Sequence, residues 1–265
     1  VLKRALAAAH IDLKSVDLIS YSKGPGLGGC LRIGAAIARS LSTILKVPLI
    51  GVNHCIAHVE IGKLTSKFKD PITLYTSGAN TQILALASGR YRVFGETLDV
   101  GVGNFLDSFG RALHLGFPAG PKIEELAKKG KKYIEIPYTI KGMDFAFSGI
   151  QTKLEQLSKK HKKEDLCYSC QETVFAILTE ATERAIAQID KKEILLTGGV
   201  AANKRLTEML ATMAKDRGVK FAVVPFSLAC DNGAMISWQG IIEYKARGSD
   251  AILDTKPIQR WRTDD

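Results

Sequence analysis

The sequence predicts an α/β protein built in two parts. Strands alternate with helices over roughly the first 66 residues, and this alternation predicts a parallel sheet. From about residue 70 three consecutive strands form a meander, after which helices and strands alternate again. A chain of 265 residues also commonly divides into two domains of about 100–150 residues each.

In the first part, a glycine-rich turn separates the first strand from the helix that follows it, and Asn53 is placed to cap the next helix. The predicted elements, in order, are a helix end at residues 1–10, a buried strand at Val16–Ser22, a helix from about Gly29 to Leu45, a short strand at Pro48–Val52 and a helix carrying His54 and His58.

In the second part, the meander strands are joined by the turns Ser77–Asn80 and Ser88–Gly89. The predicted elements are strands at Ile72–Thr76, Gln82–Ala87 and Arg90–Gly95, a helix from about Gly103 to Leu113, a basic and mostly helical stretch through Ser169, an amphipathic helix at Gln171–Ile189, a strand at Glu193–Thr197, a helix from Asn203, a strand at Lys220–Val224 and a last helix opened by Asp231.

Three strands followed by helix–strand alternation is the element order of one half of the actin-like, ribonuclease H-like fold. The first part supplies only the later elements of a matching unit, so we expect a first lobe that lacks its N-terminal meander and a native polypeptide that begins upstream of Val1. We place the first lobe in residues 1–70 and 232–265. The second lobe takes residues 71–231, with a helical insertion around 111–170.

The net charge of +10 and the pI near 9.3 fit a polyanionic partner. Positively charged residues cluster at 128–132, 159–163 and 260–262. These clusters fit either a solvated face or a nucleic-acid-binding surface. No secretory signal or membrane-spanning apolar run is present, so we expect a cytoplasmic protein without membrane attachment. Five scattered cysteines argue against a disulfide framework, and we interpret the one close pair, Cys167-x-x-Cys170, as incidental.

His54-Cys-Ile-Ala-His58 places two imidazoles one helical turn apart on the same face, as two ligands of one metal require. Two histidines with ordinary hydrogen-bond partners fit the same pattern. Cys55 stands where zinc peptidases carry a glutamate, which disfavours a metallopeptidase. Asp231 is the best candidate for a third ligand, and its alternative role is to cap the last helix.

Three glycine-bearing turns favour a nucleotide cleft. Two of them, Ser77–Asn80 and Gly198–Asn203, follow strands, and the third, Phe117–Pro121, precedes a helix. Glycine lets the backbone approach a phosphate or a sugar, and amides at a helix N-terminus favour anions. None of these turns is a Walker P-loop or a dinucleotide fingerprint.

Seven motifs occur together in a fixed order. They are Gly24-Pro25-Gly26-Leu27 with Leu31-Arg32, Val52-Asn53-His54-x-x-x-His58, Tyr75-x-Ser77-Gly78-x-Asn80-Thr81-Gln82, Gly95-Glu96-Thr97-Leu98-Asp99, Met143-Asp144-x-x-Phe147-Ser148-Gly149, Gly198-Gly199-Val200-Ala201-x-Asn203 and Cys230-Asp231-Asn232-Gly233. From about Ile19 to the C-terminus the chain resembles the universal tRNA threonylcarbamoyladenosine transferase family, formerly called O-sialoglycoprotein endopeptidases. Tyr75 before the Ser-Gly turn resembles the archaeal and eukaryotic branch, the catalytic subunit of the KEOPS complex.

The resemblance implies an actin-like two-lobed fold that transfers threonylcarbamoyl from threonylcarbamoyl adenylate to the exocyclic amine of the adenosine beside the tRNA anticodon. It implies one divalent metal, with iron favoured and zinc the alternative, held by His54, His58 and Asp231 with Tyr75 nearby. Contacts to an adenine nucleotide or the acyl-adenylate are implied at Tyr75, Thr76, Ser77, Gly78, Ala79, Asp107, Gly120, Glu124 and Asn203. The implied partners are tRNA and KEOPS-type subunits, including a small atypical protein kinase and a small dimerising subunit.

Two positions depart from the family pattern, because Gly78-Ala79 and Ala119-Gly120 stand where the family has glycine pairs. A methyl group there is tolerated unless the backbone needs a positive φ. The alternative interpretation is an actin-fold ATPase or a nucleotide-binding scaffold subunit. Such a protein would share the glycine turns but would not need the paired histidines and Asp231.

Overall fold

The computed structural model describes all residues from Val1 to Asp265 and divides them into two compact units. Unit 1 comprises Val1–Ile61, Asn232–Thr263 and Asp265, and unit 2 comprises Gly62–Asp231 and Asp264. None of the helices combines the length and the apolar character that a membrane crossing would require.

Unit 1 is built on a two-stranded parallel sheet, in which Ile19 lies opposite Leu49. Its elements are α1 (Leu2–Ala9), β1 (Ile19–Gly24), α2 (Gly28–Leu45), β2 (Leu49–Asn53), the start of α3 (His54–Ser66) and α10 (Gly233–Arg247). The prediction of β1 at Val16–Ser22 was wrong at its N-terminal side. Leu13–Ser15 forms a 3₁₀ turn capped by the Asp12 carboxylate, so the extended segment begins later.

The segment after α10 is held on the β1–β2 sheet by buried polar groups. Tyr21 donates its hydroxyl hydrogen to the carbonyl oxygen of Thr255, and Arg39 binds the same residue through two nitrogens. Asp250 accepts a hydrogen bond from the backbone of Gly51 and pairs with Arg247. Burial, followed by the nearby Asp250 carboxylate, raises the pKa of Tyr21 to about 12, so the phenol stays a donor in this contact.

Unit 2 is built on a five-stranded sheet in the order β5-β4-β3-β8-β9, antiparallel in the meander and parallel from β3 onward. Its strands are β3 (Ile72–Thr76), β4 (Thr81–Ala87), β5 (Arg90–Glu96), β8 (Glu193–Thr197) and β9 (Lys220–Val223), with a separate hairpin of β6 (Ile140–Lys141) and β7 (Asp144–Phe145). Its helices are α4 (Val102–Ala112), α5 (Gly120–Ala127), α6 (Ser148–Leu157), α7 (Lys163–Ile189), α8 (Lys204–Asp216) and α9 (Phe226–Ala229).

The stretch between α5 and α7 differs from the expected basic, mostly helical segment. Residues 128–147 contain no helix and include the β6–β7 hairpin, and α7 begins at Lys163 rather than at Gln171. One reason is that Asp165, in the first turn of α7, accepts hydrogen bonds from the backbone N–H groups of Lys131 and Lys132 and so holds this non-helical segment beside the helix.

The core of unit 2 lies around α7, whose apolar face is buried as its sequence pattern predicts, except that Ile189 at the end of the helix is only partly buried. The same core takes in the apolar residues of β3 and β4 and the inner faces of α4 and α6. This packing fixes the ends of β3 and β8, where the glycine turns of the candidate site begin.

Candidate functional site

His54 and His58 lie on the first turns of α3, with ring centroids 5.0 Å apart and planes at 77°. Asn53 caps this helix as predicted, because its Oδ1 accepts hydrogen bonds from the N–H groups of Cys55 and Ile56. Its Nδ2 donates to the carbonyl oxygen of Arg262, which fixes the orientation of the amide. The cap therefore sets the direction in which the two imidazoles leave the backbone.

Asp231 lies two residues before the start of α10, and it does not cap that helix. The cap is Asn232, whose side chain accepts the N–H of Met235. The alternative role considered for Asp231 is thus filled by its neighbour. One nitrogen of His54, one nitrogen of His58 and one oxygen of Asp231 all lie within 4.8 Å of one another.

These three residues fit a divalent metal by their chemistry. Zinc and iron bind imidazole nitrogen and carboxylate oxygen, and for zinc these bonds measure about 2.0–2.2 Å. Two atoms that share such an ion therefore lie up to about 4.4 Å apart, which is close to the observed span of 4.8 Å. His58 is buried, His54 is half-buried and Asp231 is exposed.

Tyr75 and Thr76 end β3 and are both buried. Tyr75 lies in register with Thr197 of β8 and with Gln82 of β4. The hydroxyl of Thr76 donates to the carbonyl oxygen of Thr197. The side chain of Thr76 therefore ties β3 to β8 and has no surface with which to contact a ligand.

The Ser77–Asn80 turn is closed by its own residues. The N–H of Ser77 donates to the carbonyl oxygen of Asn80 at 2.8 Å, and the Ser77 hydroxyl exchanges hydrogen bonds with the Asn80 backbone. Neither Gly78 nor Ala79 has a positive φ, and Ala119 has a φ of −91°. The two departures from the family's glycine pairs are therefore compatible with the backbone.

A cavity of about 320 Å³ lies within unit 2, beside the β3 and β8 turns. It is lined by Gly78, Gly103, Leu106, Asp107, Pro118, Gly120, Pro121, Glu124, Gly199, Val200, Ala202, Asn203, Phe226 and Cys230. Five of the predicted nucleotide contacts therefore share one cavity: Gly78, Asp107, Gly120, Glu124 and Asn203. Tyr75, Thr76, Ser77 and Ala79 do not line it.

The two glycines after β8, Gly198 and Gly199, are suited to their positions for different reasons. Gly198 has a φ of +96°, and a Cβ built on it would lie 2.3 Å from the carbonyl oxygen of Thr76. A side chain there is excluded both by conformation and by contact. At Gly199 an added Cβ would meet only the Cys230 sulfur, at 3.9 Å, so this glycine leaves open space in the cavity wall.

Three polar residues of the cavity wall also hold it together. Asp107 accepts the N–H of Ala119 through one carboxylate oxygen, and Glu124 accepts the N–H of Lys204. Asn203 caps α8 with its Oδ1 and donates from its Nδ2 to Gln171 in α7. Both ends of the Asn203 amide form hydrogen bonds within the protein, so Asn203 stabilises the fold as well as lining the cavity.

Two of the sequence motifs support the fold rather than the cavity. Asp99 accepts hydrogen bonds from the N–H groups of Phe147 and Ser148 at the start of α6, and from the Ser148 hydroxyl. Burial raises the pKa of Asp99, but these hydrogen bonds and one from Val100 outweigh it and lower the pKa to about 2. Asp144 in turn accepts the N–H of Glu96.

The cysteine pair Cys167 and Cys170 is fully buried inside α7. Burial raises the pKa of both thiols, that of Cys167 to about 12, so neither is a reactive thiolate at neutral pH. This burial fits the interpretation of the pair as incidental, which stays a prediction. Cys55 is also buried, whereas Cys30 and Cys230 are exposed.

Sequence reasoning missed Phe226 and Cys230 as cavity-lining residues, and it missed the single-turn helix α9. Pro225 just before Phe226 was the available signal, because proline commonly precedes or opens a helix. No periodicity distinguishes a four-residue helix from a loop.

Comparisons with known proteins agree on family and fold. The family model TsaD, described as tRNA N6-adenosine threonylcarbamoyltransferase, matches residues 1–238. A protein of Thermococcus sibiricus with that name is 55% identical over all of this chain and 82% of the relative. A "probable bifunctional tRNA threonylcarbamoyladenosine biosynthesis protein" of Methanocaldococcus jannaschii is 54% identical over 96% of this chain and 48% of the relative.

Among solved structures, HypF of T. kodakarensis aligns with a TM-score of 0.72 at 15% identity, over 92% of this chain and 43% of that one. Component A of the (R)-2-hydroxyglutaryl-CoA dehydratase of Acidaminococcus fermentans aligns with a TM-score of 0.57 at 17% identity, over 92% and 82%. These likenesses concern the fold alone and confirm the actin-like class. The alternative of an ATPase or a scaffold subunit is not favoured by the relatives. On the strength of the family model and relatives more than half identical to it, the chain belongs to the tRNA N6-adenosine threonylcarbamoyltransferase family.

Proposed function

We propose that this chain transfers a threonylcarbamoyl group from threonylcarbamoyl adenylate to the exocyclic amine of the adenosine beside the tRNA anticodon. The observation that carries the proposal is the cavity of unit 2. It gathers glycine backbone, two carboxylates and a capping asparagine in one place, at positions that the family resemblance assigns to the acyl-adenylate.

Different parts of the cavity wall suit the ribose, the phosphate and the base of an adenylate. Ribose hydroxyls are donors and suit the carboxylates of Asp107 and Glu124, each of which has one oxygen engaged by a backbone N–H. A phosphate is repelled by those carboxylates and suits the part of the cavity wall formed by Gly78, which has no side chain. The base then falls against the turn that follows β8, where Gly199 leaves space.

In the reaction, the amine nitrogen forms a bond to the carbamoyl carbon while the bond from that carbon to the phosphate oxygen breaks. Adenylate leaves with the electron pair, and the amine loses one proton. The exocyclic amine of adenosine is a poor nucleophile, so much of the rate must come from holding it against the acyl carbon. Hydrogen bonds from the cavity to the ribose and phosphate supply that positioning.

We propose that His54, His58 and Asp231 hold one divalent metal, iron in preference to zinc, with Tyr75 nearby. Such an ion would orient the substrate and offset negative charge that grows on its oxygens. Asn53 contributes by fixing the first turn of α3, and Asn232, the neighbour of Asp231, contributes by capping α10.

We also propose a cytoplasmic location and a complex with KEOPS-type subunits, a small atypical kinase and a small dimerising subunit among them. One observation supports a protein partner. The exposed face of α2 carries Ile33, Ile37 and Ile44, each more than half exposed. Isolated apolar side chains on a surface are common, but several along one helix are typical of a docking face. The tRNA would be attracted by the net charge of +10.

The test is a transfer assay with synthesised threonylcarbamoyl adenylate and unmodified tRNA, with and without partner subunits. We expect modified adenosine to form with the wild type, and to fall at least tenfold with Asp107→Asn combined with Glu124→Gln. Glu125→Gln is the matched control, because Glu125 neighbours Glu124 but does not line the cavity. Absence of product from a folded, metal-loaded complex would contradict the proposed activity.

A further inference from the structure

Phe226 is an aromatic residue that the fold leaves facing water. It is the first residue of the single-turn helix α9 and is 69% exposed. The other side of α9 is anchored, since Ala229 is buried with Leu195 and Val224 and Leu228 packs against the same cluster. The turn is closed by the N–H groups of Leu228 and Ala229, which both donate to the carbonyl oxygen of Pro225. The phenyl ring is thus held at the surface by a rigid support.

Phe226 lines the same cavity as Gly199, Val200 and Ala202. It also lines an adjoining groove together with Ala202 and Pro225. This wall is apolar and contains a glycine that leaves open space, whereas the carboxylates of Asp107 and Glu124 belong to α4 and α5. A flat aromatic group with a polar edge is the part of an adenylate that such a wall accommodates.

We propose that Phe226 stacks on the adenine ring and sets the preference of the cavity for a nucleotide over a sugar phosphate. The inference rests on the proposed nucleotide site and names the residue that recognises the base. Stacking of a base on an aromatic side chain is driven by the face of the ring and survives replacement by another aromatic residue. An aliphatic replacement keeps apolar surface but loses the π face.

The test compares AMP with ribose 5-phosphate, binding being measured by calorimetry on the whole chain. We expect Phe226→Ala to weaken AMP binding about tenfold, as loss of one stacked base predicts, and to leave ribose 5-phosphate unchanged. Phe226→Leu should also lose selectivity for AMP, whereas Phe226→Trp should retain it. Val223→Ala is the matched control, because Val223 is exposed and lines the adjoining groove but not the cavity.

Phe226→Trp gives a second, direct readout. The chain contains two other tryptophans, Trp238 and Trp261, whose emission is measured in the parent protein as background. AMP should quench the added tryptophan, and ribose 5-phosphate should not. AMP affinities in Phe226→Ala and Phe226→Leu equal to wild type would overturn the role of Phe226, as would equal losses for both ligands. A wild type that binds neither compound would contradict the nucleotide site itself, a separate failure.

Discussion

Asn203 donates a hydrogen bond from Nδ2 to Oε1 of Gln171 at 3.0 Å, while its Oδ1 accepts the N–H groups of Arg205 and Leu206. Because the cap requires an acceptor, the donor end of the Asn203 amide must point to Gln171. One side chain therefore caps α8, ties it to α7 and forms part of the cavity wall.

Replacement of Asn203 should therefore reduce stability as well as ligand binding. We expect Asn203→Ala to lower the free energy of unfolding by about 2 kcal/mol, because it loses a helix cap and leaves Gln171 without its donor. Asn203→Asp keeps the acceptor for the cap and should recover about half of that loss. Urea unfolding measures both, and full stability of Asn203→Ala would contradict the assigned role.

Asp99 should make stability depend on acid pH. A carboxylate with a pKa lowered to about 2 in the folded chain stabilises it above the unfolded pKa of about 3.9, and loses that effect as the pH falls toward about 2. Asp99→Asn should lower the free energy of unfolding by about 1 kcal/mol at neutral pH, a value reduced because the residue is exposed. The difference from wild type should shrink as the pH falls from about 4 to about 2.

The control is Asp216→Asn, since Asp216 is exposed at the end of α8 and receives no hydrogen bond. An Asp99 variant whose stability tracks wild type at neutral pH would show that the link between the meander and α6 contributes nothing.

Metal binding should depend on each of the three proposed ligands. We expect His54→Ala, His58→Ala and Asp231→Ala each to lose stoichiometric metal in elemental analysis, because two remaining ligands hold an ion weakly. His161 is not one of the three proposed ligands, so the control variant His161→Ala should keep its metal. Retention of the metal in all three variants would rule out the assignment.

The two glycines after β8 should respond differently to substitution. Gly199→Leu should weaken AMP binding by at least tenfold with an unchanged melting temperature, because its side chain enters open cavity space. Gly198→Ala should destabilise the protein, since its φ of +96° and the nearby Thr76 carbonyl exclude a Cβ. Thermal unfolding and calorimetry separate the two effects, and unchanged AMP affinity in Gly199→Leu would move the nucleotide elsewhere.

Binding of tRNA by this chain alone should be weak and sensitive to salt. The net charge of +10 favours phosphate contacts, each of which releases counterions. We expect the logarithm of the affinity to fall linearly with the logarithm of the salt concentration. Changing the four lysines at 128, 129, 131 and 132 to glutamine should reduce that slope. An affinity independent of salt would contradict an electrostatic contact.

The sequence predicted well where one residue type has one local role. Asn53 and Asn203 were expected at helix starts, and both cap their helices. The strand at Glu193–Thr197 was placed correctly, because a short apolar run before two glycines has few alternatives. The three-stranded meander followed from its turns in the same way.

The remaining differences come from contacts between distant segments. The start of α7 depends on Asp165, which accepts hydrogen bonds from the backbone of residues 131 and 132, a pairing that no local pattern reveals. The burial of Thr76 depends on β8, which lies more than a hundred residues away. The glycine turns had predicted a cleft, but Asp107 of α4 and Glu124 of α5 line the same cavity through contacts that no local pattern reveals, and only the family resemblance had pointed to them.

The burial pattern of the cysteines has a practical consequence for chemical labelling. Three of the five thiols are buried, so a maleimide dye would reach only Cys30 and Cys230 on the folded chain. Replacing Cys30 by serine would leave one attachment point, and that point lies in the wall of the cavity. The single substitution Cys30→Ser would therefore let a dye on Cys230 report the entry of a ligand into the cavity.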